Sequence, residues 1–235
     1  MKTRRSQLIK VLTLTALFFI FVGFSSKALA QSPVRLGLKF NPIISYVRVT
    51  DEDKKSIDGL EKSSKLGFSG GLMLDFNFFE RAAFHTGLLI VRKGYDYSYP
   101  FSVTSNDSIP VTTTETRSID ATITTVEFPL ALKMRSGDIA DGLRIRGLFG
   151  GQLGLNVSSK TETQAETSRK TSDYYQPLSV DFLVGAGVEY DIESVGTLDF
   201  GLSYHNGLTR FNKKKTSDEI RVLAHYFSLD IGFFF

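Results

Sequence analysis

Apolar and polar residues alternate along most of the chain, so that every second residue has the same character. A period of two is typical of a β-strand with one apolar face. From residue 31 onward, the sequence has no stretch of useful length with the apolar periodicity of an amphipathic helix. The alternation predicts eight strands, with the bounds Val34–Val47, Leu66–Phe79, Ala83–Tyr97, Ile119–Arg135, Leu143–Ser158, Leu178–Ile192, Thr197–Leu208 and Ile220–Phe235.

Three places disturb the alternation. Pro42 cannot donate a ladder hydrogen bond, so we expect a bulge or kink there. A slip in phase at Thr124 and Thr125 predicts a second bulge. From Leu88 to Val91 both parities are apolar, and the faces of the third strand therefore stay unassigned.

Long and short connections alternate between the predicted strands. Each strand exceeds the roughly 9–11 residues that cross a bilayer at a tilt. Short turns on the side of both termini are typical of outer-membrane barrels. The pattern thus predicts an all-β, eight-stranded antiparallel up-and-down transmembrane β-barrel. The predicted connections are Arg48–Lys65, Glu80–Arg81, Ser98–Ser118, Ser136–Gly142, Ser159–Gln176, Glu193–Gly196 and Thr209–Glu219.

A soluble barrel that hides its apolar face inside is the alternative architecture. The polar face is rich in Gly, Ser and Asp, which suits a narrow, crowded lumen better than a solvated surface. Aromatic residues lie toward both strand ends of the apolar face, as in interfacial girdles. These features favour the membrane barrel. The aromatic residues are Phe76, Phe78, Tyr190, Phe233 and Phe235 near the short turns, and Tyr46, Tyr204 and Phe227 near the long connections.

Residues 1–30 have the features of a cleavable signal peptide: a basic start, an apolar run Val11–Phe24 and the small residues of Ala28–Ala30. The run is shorter than the roughly 20 residues of a spanning helix. We expect the barrel domain to occupy 31–235. Removing the five basic residues of 1–30 from the total leaves 23 Lys and Arg against 25 Asp and Glu. The basic character belongs to the leader, so no nucleic-acid partner is expected.

Several stretches resemble the PorT-like outer-membrane β-barrel family, which is common in the Gram-negative Bacteroidetes. They are LGLKFNP (Leu36–Pro42), TGLLIVRKG (Thr86–Gly94), VEFPLALKMR (Val126–Arg135), VGAGVEYDI (Val184–Ile192) and IGFFF (Ile231–Phe235). The resemblance implies a cell envelope protein of the outer membrane, surrounded by its lipid and lipopolysaccharide, and implies no catalytic residues.

The last strand is similar to the C-terminal strands of outer-membrane barrels, which end in Phe. This similarity implies recognition by the barrel-assembly machinery through the outward residues Phe227, Leu229, Ile231, Phe233 and Phe235. We expect a structural or interaction role through four extracellular loops. The alternatives are an accessory component of a secretion or envelope-biogenesis complex with a protein partner, a small-solute channel, and a lipid-active enzyme.

Chemistry-bearing residues are sparse and scattered. The three histidines lie on three strands without metal-ligand spacing, and the chain has no Cys. Ser203 and His205 share one strand face, but a nucleophile also needs an orienting acid. We therefore predict no catalytic residue, no metal site and no cofactor.

Charged residues of the polar parity concentrate near the short turns. An eight-stranded barrel is only wide enough for its own side chains. A salt-bridged layer is thus predicted to plug the periplasmic half of the lumen, so that the barrel does not conduct. Its members are Arg35, Lys39, Asp75, Lys133, Arg135, Arg144, Arg146, Glu189, Asp191, Asp199 and Asp230. Small residues above it predict a water-filled vestibule lined by Gly67, Ser69, Gly150, Gly154, Gly185, Gly201, Ser203, Gly207 and Ser228.

Overall fold

The structure, a computed structural model, describes residues 34–51, 61–104, 112–163, 176–210 and 220–235. The predicted signal peptide, 1–30, lies outside the described residues. Eight strands follow one another in chain order. They are β1 (Val34–Asp51), β2 (Glu61–Phe79), β3 (Ala82–Thr104), β4 (Thr112–Arg135), β5 (Leu143–Thr163), β6 (Leu178–Ile192), β7 (Gly196–Gly207) and β8 (Ile220–Phe234).

Each strand pairs with its chain neighbours, and β1 pairs antiparallel with β8 to close the barrel. The predicted eight-stranded antiparallel barrel is thereby confirmed. Closure removes the sheet edges at which β-proteins aggregate. In the parts of the chain that the structure describes, no helix is long and apolar enough to cross a membrane.

Several strands run further toward the long connections than the alternation predicts. The β3–β4 pairing continues to Thr104 opposite Thr112, so most of the predicted loop Ser98–Ser118 is strand. The predicted loops Arg48–Lys65 and Ser159–Gln176 are also too long, because β1, β2 and β5 extend into them. Ser, Thr and charged residues dominate these extensions and weaken the apolar signal, although Tyr99, Phe101 and Val103 continue the alternation in β3. β-branched Thr also favours strands.

Two predicted irregularities have different outcomes. A register shift between Thr124 and Thr125 confirms the bulge there. At Pro42 the structure has no bulge, because the β1–β2 register stays constant from Val34 to Ser45. The β1–β8 ladder is interrupted there, since Asn41 and Pro42 have no paired residue on β8. Beside the proline, the side-chain oxygen of Asn41 accepts a hydrogen bond from the N–H of Ile231, at 3.4 Å.

The apolar faces point outward, as predicted, and the polar faces line the lumen. Phe149 is 59% exposed and Leu202 is 65% exposed, whereas the alternating lumen residues are largely buried. In β3, whose faces the pattern leaves open, the odd-numbered residues from Ala83 to Tyr97 face inward. Two ionisable side chains, His85 and Lys93, thus enter the lumen from this strand.

Candidate functional site

The short-turn end of the lumen holds a network of buried ion pairs, here called the charge floor: Arg35, Lys39, Asp75, Lys133, Arg135, Arg146, Glu189, Asp199 and Asp230. Lys133 is central and fully buried. Its Nζ lies 3.0 Å from Asp75 Oδ2, 2.5 Å from Glu189 Oε1 and 3.0 Å from Asp199 Oδ2. One ammonium therefore compensates carboxylates from three strands.

Two arginines extend the network on either side of Lys133. Arg135 donates from Nη2 to Asp75 Oδ2 at 2.6 Å and from Nε to Glu189 Oε2 at 2.8 Å. Arg146 donates from Nε to Asp199 Oδ1 at 2.8 Å, and its Nη2 lies 3.3 Å from Asp230 Oδ2. Because arginine presents several fixed donors, each guanidinium joins two carboxylates.

Strand β1 completes the floor from the opposite wall. Arg35 Nη1 lies 3.2 Å from Glu189 Oε2, and Lys39 Nζ lies 3.1 Å from Asp230 Oδ1. Arg35 lies on β1, whose neighbours in the sheet are β2 and β8, but its guanidinium contacts Glu189 of β6 across the lumen. The charges on opposite walls therefore form one network.

Two members of the predicted layer lie at its margin. Arg144 and Asp191 form a close ion pair with each other, and Arg144 Nε lies 3.7 Å from Asp138 in the short turn. Both side chains are partly exposed. They therefore lie at the short-turn rim of the barrel, outside the charge floor.

Phe234 lies inside the barrel, among the cations. Arg35 Cζ is 4.5 Å and Lys133 Nζ 4.3 Å from the centre of its ring. Space for the ring comes from Gly37, where an added Cβ would lie 2.9 Å from Phe234 Cδ1. Cation–π contacts of this kind stabilise buried cations.

Neighbouring side chains also occupy the space at glycines of the predicted vestibule. An added Cβ on Gly201 would lie 2.6 Å from Arg146 Nη2, and one on Gly67 would lie 3.0 Å from Ile43 Cγ1. The prediction of open, water-filled space is therefore wrong at these positions. The glycines thus leave room in the lumen for large side chains that come from other strands.

Toward the long connections the lumen holds apolar side chains, here called the apolar cluster. Val47, Val49, Tyr95, Tyr97, Ala121, Ile123 and Val222 form it. Partly buried Ile119 and Ala224 pack against it. The sequence pattern did not indicate this cluster, since three of its strands were predicted to end near these positions.

Between floor and apolar cluster lies the Glu127 cluster: Lys93, Thr125, Glu127, Gln152 and Tyr226. Lys93 Nζ and Thr125 Oγ1 donate to Glu127 Oε1, at 2.7 and 2.6 Å. Tyr226 donates its hydroxyl proton to Oε2 at 2.7 Å, and Gln152 Nε2 donates to the same oxygen. Four donors thus satisfy one buried carboxylate.

Sequence reasoning missed His85 and Lys93 because the faces of β3 were unassigned. His85 Nδ1 lies 2.6 Å from Asp75 Oδ1 and so joins the edge of the charge floor. Before Leu89, the apolar side chains of Phe84 and Leu88 lie on the opposite face and would have placed His85 inside. After Leu89 the odd-numbered face is itself largely apolar, so alternation alone would have placed Lys93 outside.

The serine and histidine that share a face of β7 do not form a nucleophile–base pair. Ser203 donates its hydroxyl to Asp230, and the His205 ring stacks on Tyr226 with the centroids 4.0 Å apart. Among the described residues, no group of three or more His, Cys, Asp or Glu is arranged to hold a metal ion.

Comparisons with known proteins give a family and a set of similar structures. A family model described as "Outer membrane protein beta-barrel domain" matches residues 24–213. No curated protein matches the chain.

Three solved outer-membrane proteins are similar to the chain, each covering 86% of it. Neisserial surface protein A is 12% identical, with 96% of its own chain covered and a TM-score of 0.44. Ail of Yersinia pestis is 15% identical, with 97% covered and a TM-score of 0.36. OprG of Pseudomonas aeruginosa is 10% identical, with 96% covered and a TM-score of 0.38.

Proposed function

Since this chain belongs to the family of outer membrane protein β-barrel domains, we propose that it acts as a closed, non-conducting barrel with a structural or interaction role. The outer membrane is its location. Short turns face the periplasm in such barrels, and the long connections face outward. The proposal therefore assigns the charge floor to the periplasmic end and the extended strands to the cell surface.

The observation that carries the proposal is the charge floor itself. Ion pairs join β1 to β6 through Arg35 and Glu189, and β4 to β2, β6 and β7 through Lys133. Lys133, Asp75 and Glu189 are fully buried. Cross-lumen pairs without solvent access support a barrel that solutes do not traverse, since a narrow barrel can be filled by its own side chains.

Planar-bilayer recording tests the closed lumen. Purified protein is expected to insert without steady single-channel currents. A Lys133→Ser, Arg146→Ser double variant removes the bulk of two central cations and serves as the opened comparison, which should conduct if it folds. Steady conductance from the unmodified protein would replace this proposal with the channel alternative.

Strand length supports the interaction role. β3 and β4 have 23 and 24 residues and remain paired as far as Thr104 and Thr112. A crossing needs only roughly 9–11 residues. The pair therefore continues well beyond the bilayer as a two-stranded projection, which offers a fixed surface to a partner outside the cell.

Crosslinking in intact outer membranes tests the projection as a binding surface. The full chain is compared with a variant in which residues 98–118 are replaced by a short turn. Crosslinked protein partners are expected for the full chain and not for the shortened one. Equal crosslinking by both proteins would remove the projection from the proposal.

The narrower assignment to PorT-like barrels rests on the sequence resemblance and favours an accessory role in an envelope complex. Lipopolysaccharide and the barrel-assembly machinery are proposed partners on the same basis. A lipid-active enzyme gains no support from Ser203 and His205, because their side chains make other contacts.

A further inference from the structure

The outward face of β1, β7 and β8 changes character along the barrel wall. Toward the short turns it is apolar and ends with the exposed side chains of Ile44, Leu202 and Phe227. Nearer the long connections the same face carries Arg48, which is exposed, and Arg221, which is partly buried. A change from apolar to aromatic and charged side chains is typical of the height at which a barrel wall leaves the hydrocarbon. This wall therefore meets lipid headgroups near the two arginines.

Two tyrosines, here called the tyrosine pair, lie between the apolar and the basic part of this face. The hydroxyl oxygens of Tyr46 and Tyr204 are 3.3 Å apart. Both rings stack with the His225 ring, at centroid distances of 5.4 Å for Tyr46 and 6.5 Å for Tyr204. His225 is paired with Tyr46 on the outward face and is nevertheless fully buried. The pair is thus a fixed surface with an apolar body and hydroxyl groups, which suits a membrane interface.

The two arginines have no acidic partner. Arg221 Nη2 donates to Leu208 O at 3.5 Å, and its Nε is buried without a hydrogen-bond partner among the described residues. Arg48 lies close enough to Tyr46 and His225 to interact with both electrostatically. With the carboxylates of the described residues, neither guanidinium forms an ion pair. The positive charge of this face is therefore not compensated by these carboxylates.

Strand register brings the two arginines to one place on the wall. In the β1–β8 ladder, Arg48 is paired with Leu223, and Thr50 is paired with Arg221. The arginines are therefore diagonal neighbours, which lie about 7–8 Å apart. Guanidinium groups present several fixed donors and bind phosphate oxygens through paired hydrogen bonds. Because both side chains are long, the two guanidiniums can contact one phosphate group.

We propose that Arg48, Arg221 and the tyrosine pair bind the headgroup of a lipid that carries a phosphate monoester. Its acyl chains would lie along the exposed apolar side chains of the same three strands. A monoester carries a charge of about −1.5 to −2 at pH 7 and so matches two unpaired cations. The site depends on the proposed orientation, in which the long connections face outward, since the lipid would then belong to the outer leaflet.

Native mass spectrometry of the refolded full chain, released from detergent micelles, measures the site. Dioleoyl phosphatidic acid supplies the phosphate monoester, and dioleoyl phosphatidylcholine has the same chains with a zwitterionic diester. One phosphatidic acid per barrel is expected to bind, with an affinity at least about tenfold above that of phosphatidylcholine, because hydrogen bonds between charged groups are the stronger ones. Equal affinities for the two lipids would overturn the proposal.

An Arg48→Gln, Arg221→Gln double variant removes both charges and keeps side chains that can form hydrogen bonds. Its affinity for phosphatidic acid should fall by at least about tenfold, to that for phosphatidylcholine. Arg92→Gln is the matched control: Arg92 is exposed on the outward face of β3, paired with exposed Phe68. This variant should bind as the unmodified protein does. If the double variant does not refold, Arg221→Gln alone takes its place, with an expected several-fold loss.

Two further results would contradict the site. Equal binding of phosphatidic acid by the double variant and the unmodified protein would place the lipid elsewhere. Displacement of the lipid by an equal concentration of inorganic phosphate would show that the acyl chains contribute nothing and that free phosphate is the ligand. All of these measurements are made in detergent and need neither bilayer current nor a membrane orientation, so the lipid site and the closed outer-membrane barrel can fail separately.

Discussion

The two ends of the lumen are packed with opposite chemistry. At the short-turn end, seven strands contribute to a charge floor in which each carboxylate depends on a specific base. At the outer end, Val47, Ile123 and their neighbours exclude water without directional contacts. Removing one buried ion leaves its partners uncompensated, whereas truncating an apolar side chain leaves only a cavity. The floor should therefore be the more fragile end.

The largest loss of stability is expected from Lys133→Met. This change keeps most of the side-chain volume but leaves Asp75, Glu189 and Asp199 without their shared ammonium. Breaking a buried ion pair by removing one partner costs about 3–5 kcal/mol. Reversible urea unfolding in lipid vesicles measures the change in the free energy of unfolding.

Lys65→Met is the control for that measurement. Lys65 pairs with Asp120, and both side chains are partly exposed. Loss of a surface pair costs only about 0–1 kcal/mol. Equal losses in the two variants would mean that the charge floor contributes no more than a surface ion pair, and the contrast between the two ends would disappear.

Much of the floor was predictable from sequence because strand parity and antiparallel order fix which residues face inward and near which end. The ion-pair partner of each of these residues was not predictable in the same way. Arg35 reaches Glu189 because a narrow barrel brings β1 opposite β6, and the side chain is long enough to cross the lumen. Cross-lumen distance depends on strand tilt and register, which alternation alone does not determine.

At the outer end, Ile123→Ala should cost less, about 2–4 kcal/mol, as expected for truncating a buried aliphatic side chain. Ile123 is fully buried within the apolar cluster. Unfolding in lipid vesicles again provides the measurement. Ile123→Val is the graded control, with an expected loss of about 0.5–1.5 kcal/mol.

A loss from Ile123→Ala as large as that from Lys133→Met would contradict the ranking of the two ends. No measurable loss would instead indicate that water already fills the outer lumen, as the sequence pattern had suggested. The cluster escaped prediction because its residues lie near the Thr- and Ser-rich segments that read as loops. The abundance of Ser and Thr hid strands that continue through these segments.

The smallest effect on the stability of the finished barrel is expected at the last residue. Phe234 points into the charge floor and is fully buried, whereas the adjacent Phe235 points outward and is 46% exposed. The backbone N–H of Phe235 still donates to Leu36 O at 2.9 Å, so a substitution keeps the strand pairing. Phe235→Asp should change the free energy of unfolding by no more than about 1 kcal/mol, since acidic residues near the membrane interface cost little.

Phe235→Asp should assemble into the outer membrane less well than the unmodified protein. The resemblance of the last strand implies that its final aromatic residue is recognised during assembly. The variant should accumulate in the periplasm and be degraded, although the purified protein refolds. Phe79→Asp is the matched control: Phe79 is also an exposed aromatic residue beside a short turn, but it lies on β2. Cell fractionation with immunoblotting measures both variants. Normal outer-membrane levels of Phe235→Asp would count against the assembly role, and equal loss of both variants would attribute the defect to lipid contact instead of recognition.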